Sequence, residues 1–251
     1  MWMIRLGFIM RIEVILPFTH RSSICKITRD HNHFPLLTDF YIKMLLNDIS
    51  LCFNKSRFYS LSMEKLVQFL NSYRSISDAE AEIIMSHFEL KYFKEAAYLF
   101  TGGNVCNSLY FVVNGILRIC AINDKGLDIT HYFIKEPQFC TMLDSFNNGN
   151  IAQGSIQASS SVEVLEISRK NLRKLSLSLP FMADLIDQIN QQRLLEKIRL
   201  KNIYSGEDST SRYKLFLREQ PDIVHRVPLN HVASYLNVTP QSLSRIRRNV
   251  K

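Results

Sequence analysis

The chain has 251 residues, 46% of them hydrophobic and 22% charged, with a formal net charge of +8. This balance supports a buried core and argues against a disordered chain. No run of 18 apolar residues suggests a membrane span, and no two of the five cysteines stand at C-x-x-C spacing, so neither a membrane role nor a zinc or iron–sulfur centre is signalled.

Residues 1–62 read poorly as part of a fold, because helix and strand periods interrupt each other. Arg5 ahead of the apolar Leu6–Met10 stretch suggests an export signal, but Arg11 and Glu13 break its apolar region and no small-residue cleavage site follows. Cys25, His31 and His33 could be assembled into a ligand set, although single residues in such a stretch are more often incidental. The expectation is an extension upstream of a true start at Met63, which opens an amphipathic helix with Leu66, Phe69 and Leu70 on one face.

Beyond Ser77, which resembles a helix cap, the period shortens to that of strands. Candidates are 88–93, 96–100, 109–113, 116–121, 128–134, 155–158 and 162–167. Between them lie Thr101-Gly102-Gly103-Asn104, Asn114-Gly115, Asn123-Asp124-Lys125-Gly126 and Asn147-Asn148-Gly149-Asn150, all rich in residues that tolerate positive φ. Successive hairpins of this kind predict a sandwich or jelly roll over 63–178. From 179 to 205 the period becomes helical, with Met182, Leu185, Ile186, Ile189, Leu194, Leu195, Ile198 and Ile203 forming a long apolar stripe. Pairing with a second copy would cover it. Gln188, Gln191, Gln192 and Arg193 interrupt the stripe, so packing against its own β domain alone stays open.

Gly206-Glu207-Asp208-Ser209 reads as a hinge and helix cap opening a last domain, 206–251. Charge collects there: this segment carries eight Lys+Arg and four Asp+Glu, against fifteen of each over 63–205 and eight against four over 1–62. Val227 to Arg248 fits a helix-turn-helix position by position. Ala233 permits the close crossing, Asn237 suits a left-handed turn, Thr239 caps the second helix and Pro240 occupies its first turn. Val232, Leu236, Val238, Leu243 and Ile246 supply the shared core. Gln241 and Arg245, four apart on one face, are the expected base readers, since Gln pairs with adenine and Arg with guanine in the major groove. Thr239, Ser242, Ser244, Arg247, Arg248 and Lys251 complete the expected DNA-binding surface, chiefly through phosphates.

The stretch from Asn107 to Ile119, with Leu109-Tyr110-Phe111-Val112 before Gly115 and Arg118, resembles the double-stranded β-helix of cyclic-nucleotide-binding domains. Together with the helix-turn-helix and Ser211-Arg212-Tyr213-Lys214-Leu215-Phe216-Leu217, it makes the chain from about Met63 resemble the Crp/Fnr superfamily of transcription regulators, and its ending resembles Bacteroidetes members. The resemblance implies an α+β chain: a cyclic-nucleotide-binding-like jelly roll, a long dimerisation helix and a C-terminal (winged) helix-turn-helix domain. It further implies a cytoplasmic homodimer on a pseudo-palindromic site in double-stranded DNA, contact with RNA polymerase, and a small-molecule effector that shifts the long helix.

Members that bind cyclic AMP carry a Gly-Glu for the ribose and an Arg-Ser or Arg-Thr for the cyclic phosphate. Here Met142 stands near the Glu position and Ala152-Gln153-Gly154 at the phosphate position. Without those charges cyclic AMP is not expected, leaving the effector unknown, no cofactor expected, and a cyclic-nucleotide-responsive regulator with a degenerate cassette as the alternative. His87 and His131 leave haem open but read as packing residues. No G-x-S-x-G, H-E-x-x-H or phosphate loop points to an enzyme.

Overall fold

A computed structural model describes residues 59–250. The expected N-terminal extension therefore lies outside the described residues except for 59–62, which already belong to helix α1 (59–71). This helix buries Met63, Leu66, Phe69 and Leu70, and α2 (Asp78–Met85) follows on a capping box in which Ser77 and Glu80 satisfy each other's backbone donors.

The strands are β1 (Glu89–Phe93), β2 (Tyr98–Phe100), β3 (Asn104–Val105), β4 (Ser108–Asn114), β5 (Ile116–Ile122), β6 (Asp128–Lys135), β7 (Gln138–Cys140), β8 (Ile151–Ala152), β9 (Ser155–Ala158) and β10 (Val162–Ser168). They form two antiparallel four-stranded sheets, ordered β1-β10-β4-β7 and β2-β9-β5-β6, and a two-stranded β3-β8 ribbon. Alternate residues of the first sheet, Leu109, Phe111 and Val113 of β4 with Leu165 and Ile167 of β10, pack against α1, α2 and the start of the long helix. Tyr110, Val112, Val164, Leu117 and Ile156 fill a second core, so both faces of β4 are buried, as its near-continuous apolar run requires.

All seven predicted strands form. The short β3, β7 and β8 escape the pattern, as do two helices, α3 (Leu143–Asn148) and α4 (Arg169–Ser178). The turn expected at Asn147–Asn150 is in fact the end of α3, where Gly149 adopts φ 77° as a left-handed cap.

Helix α5 (Phe181–Tyr204) changes environment along its length. Its first half buries Met182, Leu185, Ile186 and Ile189 in the core beside α1 and α4, whereas Leu194, Leu195 and Ile198 stay exposed. The predicted stripe is thus two faces, one covered by the chain itself and one left open. After Gly206 at φ 83° come α6 (Ser209–Glu219), α7 (Pro221–Val224), α8 (Leu229–Tyr235) and α9 (Pro240–Asn249). No strand forms between Ser209 and Asn249 among the described residues, so the wing in the expectation is not formed there.

The β4–β5 turn depends on Gly115, at φ 97°. A Cβ there would overlap the Ser161 carbonyl oxygen and stand 2.7 Å from Val162 Cγ1. Gly115→Ala therefore combines backbone strain with a clash against backbone that cannot move aside. It should cost about 2–5 kcal/mol, read as a lower urea midpoint at unchanged slope.

Candidate nucleic-acid interface and its junction with the β domain

Helices α8 and α9 meet as the sequence demands. Ala233 is fully buried at the crossing, Asn237 takes φ 54°, and the Val238 amide donates to the Ala233 carbonyl at 3.0 Å, closing the turn. Thr239 caps α9 by accepting from the Ser242 amide at 3.1 Å, and Pro240 stands in the first turn, where no amide is missed. Val232, Leu236, Leu243 and Ile246 form the shared core, with half-buried Val238 packed against it.

The opposite face of α9 is open. Thr239, Gln241, Ser242, Arg245, Arg247 and Arg248 are all exposed, whereas Ser244 is half-buried because it flanks Leu243 and Ile246 of the inner face. Lys251 lies outside the described residues. Arg245, Arg247 and Arg248 form no ion pair with any described residue, so three guanidiniums present their full charge outward. Gln241 and Arg245 project side by side, one helical turn apart.

Sequence reasoning missed the other side of α8. That helix is clamped onto β6: Ser234 Oγ donates to the Asp128 carbonyl at 2.8 Å and accepts from the Thr130 amide at 2.8 Å. Phe133 of β6 packs against Tyr235 of α8, ring centroids 5.2 Å apart, and against Phe216 of α6 at 6.5 Å. Tyr204, at the end of α5, meets Tyr235 edge-on at 5.8 Å, and Gln220 donates to both phenol oxygens. Lys135–Asp222 and Arg226–Glu136 ion pairs flank the contact. The only signal for this junction was the aromatic content of β6, α6 and α8, which reads equally well as ordinary core.

Under the junction lies Arg118, 1% exposed. It donates to Gln157 Oε1 and Thr130 Oγ1 and pairs with Asp128. His231 of α8 is buried beside it, with Nδ1 3.1 Å from Ser159 Oγ. Burial first, and then the Arg118 charge, push the His231 pKa from its ordinary 6.5 to about 4.

Met142 and Gly154, from the two segments that the sequence reading aligned with the cyclic-nucleotide cassette, come together. Met142 lies over Gly154, its Cε 3.0 Å from where a Cβ on Gly154 would stand. Ala152 is buried and Gln153 exposed. Met142 thus places a thioether where the sequence reading expects the ribose acceptor.

Comparison with known proteins agrees with this fold. Residues 90–178 match the family described as cyclic nucleotide-binding domain. The cAMP-activated global transcriptional regulators CRP of Salmonella typhimurium and Pasteurella multocida are each 24% identical, over 99 and 98 residues, which is 39% of this chain and 47% of theirs. The chain thus spans about half the length of the curated relatives it matches. Among solved structures, the c-di-GMP-responsive global regulator CLP of Xanthomonas campestris superposes with a TM-score of 0.58 at 17% identity, covering 69% of this chain and 91% of that one. A transcriptional regulator of the Crp/Fnr family from Eubacterium rectale gives 0.56 at 17%, covering 70% and 84%. Residues 90–178 thus carry a cyclic nucleotide-binding domain, and the fold of the described residues is that of Crp/Fnr-type structures.

The depressed pKa of His231 has a measurable consequence. The folded state binds the proton less readily than the unfolded state, so stability is fully present above pH 6.5 and falls as pH drops from 6.5 toward about 4. Thermal melts over that window should show a loss in the wild type that is smaller in His231→Gln, the difference separating this histidine from titrating carboxylates.

Proposed function

We propose that the chain is a sequence-specific, DNA-binding transcription regulator that acts as a homodimer on a pseudo-palindromic operator. The observation that carries this reading is the outer face of α9, where Gln241 and Arg245 project beside Arg247 and Arg248 with no acid on the helix. Gln241 and Arg245 read bases; Thr239, Ser242, Ser244, Arg247, Arg248 and Lys251 hold phosphates and fix register. Residues 63–178 act as the sensor, 179–205 as the pairing helix and 206–251 as the reader, with RNA polymerase as the downstream partner. The buried free thiols of Cys106, Cys120 and Cys140 suit a reducing cytoplasm, and no helix among the described residues is long and apolar enough to cross a membrane.

The effector in this reading is a small molecule other than cyclic AMP, because Met142 stands near the expected Glu position and Ala152-Gln153-Gly154 at the expected phosphate position, with no carboxylate or guanidinium among them. A cyclic-nucleotide-responsive regulator with a degenerate cassette is the second reading, favoured by the family match over 90–178.

Selection of genomic duplexes by the purified chain tests the main reading. It should return a two-fold symmetric motif with half-sites about 34 Å, one helical turn, apart; failure to retain any duplex refutes it. Arg245→Ala should relax preference at one position of each half-site at a cost of about 1–3 kcal/mol, whereas a uniform loss over all sequences would make Arg245 a phosphate contact.

Dimerisation has its own test. Leu195 is 67% and Ile198 48% exposed, so Leu195→Glu with Ile198→Glu removes little intrachain packing and should leave the melting temperature within a few degrees while shifting sedimentation from dimer to monomer. Operator affinity should fall at least tenfold, because two linked half-site contacts become one.

A further inference from the structure

The inward face of α5 carries Asn190, Arg193 and Lys197, spaced three and four residues apart and so aligned on one side of the helix. They border a cavity of about 80 Å³ against the β domain, whose remaining walls include Ile134, Cys140 and Tyr132. No carboxylate lines it among the described residues. Arg193 has partners already: its Nη1 donates to Glu196 Oε2 at 2.8 Å, and the Gln138 side-chain oxygen faces its Nε at 3.0 Å.

Lys197 does not. Its ammonium stands 4.8 Å from the centroid of the Tyr132 ring, it is half-buried, and it forms no ion pair with any described residue. A cation–π contact offsets part of the loss of water but supplies no counter-charge. Burial holds the ammonium below its ordinary range, and the same charge, after burial, helps depress His131 on the neighbouring strand. The cavity thus combines apolar walls, Ile134, Phe139 and Cys140 among them, with the polar groups of Gln138, Thr141 and Asn190 and one cation, Lys197, that has no counter-charge among the described residues. At about 80 Å³ it is a small recess.

We infer that this cavity binds a small monocarboxylate with an apolar body, the carboxylate pairing with Lys197 and the body lying against Ile134 and Cys140. This deepens the sensor reading, on which it rests, by naming the chemistry of the effector: a singly charged anion whose non-polar part replaces water between β6 and α5. The site lies on the strand that carries Phe133 and on the helix that ends at Tyr204, so an occupant touches both elements that hold the reader.

The test uses the full chain without DNA, so that its outcome is independent of whether an operator is found. Benzoate and hexanoate are titrated calorimetrically and by thermal shift, each beside its neutral amide. At least one carboxylate should bind and raise the melting temperature by several degrees while its amide does not; Lys197→Met should weaken that carboxylate at least tenfold, and Lys197→Arg should retain it. Met keeps the length and apolar stem of lysine, and the Arg variant, which restores charge, separates a lost site from a lost fold. The inference is overturned if neither acid binds, if an amide binds as well as its acid, or if Lys197→Met binds the acid unchanged, in which case Lys197 does no more than cover Tyr132.

Discussion

Much of this molecule depends on one buried guanidinium. Arg118 lies on β5 and gathers Gln157 from β9 with Asp128 and Thr130 from β6, which fixes the mutual position of three strands at the end of a sheet. A cation so placed is tolerable only because every partner is present; removing one from such a pair typically costs about 3–5 kcal/mol. The backbone of two of those partners, Asp128 and Thr130, also holds Ser234 near the end of α8. The same network that closes the sheet thereby determines where the reader sits.

The junction joins opposite kinds of physics. Its centre is aromatic, with Phe133, Tyr204, Phe216 and Tyr235 in edge-on and tilted contact, and its rim is charged, with Lys135–Asp222 and Arg226–Glu136. The centre supplies burial and the rim supplies orientation, since exposed pairs of this kind add little stability on their own. His231 adds a further condition: it must stay neutral to remain beside Arg118.

How far the sequence could be followed varied with the locality of the signal. Strands β4, β5, β6, β9 and β10 were legible because strand periodicity and turn residues sit within a few positions of each other, and the α8–α9 turn because Ala233, Asn237, Thr239 and Pro240 each answer a local steric demand. Strands of two or three residues carry too few positions to show a period, and α3 was read as a turn because its end, Asn147-Asn148-Gly149, has turn composition while its helical hydrogen bonds lie upstream. The junction was illegible for a different reason. Ser234 and Thr130 are 104 positions apart, and nothing near either marks it for burial. The same holds for Lys197, which reads as one more charge on a long helix until β6 is placed beside it.

The long helix shows why the effector and the pairing surface have to be considered together. Between Asn190 and Tyr204 its inward residues, with the edge of Leu194, border the cavity, while Leu195 stays 67% and Ile198 48% exposed. A helix is stiff along its axis, so a change on one face is carried as rotation or translation to the other, and its end at Tyr204 is locked to Tyr235 of the reader. In the proposed regulator, an occupant of the cavity, a second copy on the outer face and the docking of α8 would act on a single rigid element. Signal transmission here requires no chain of side chains across the β domain, only that α5 has two positions and that each of these three contacts prefers one of them.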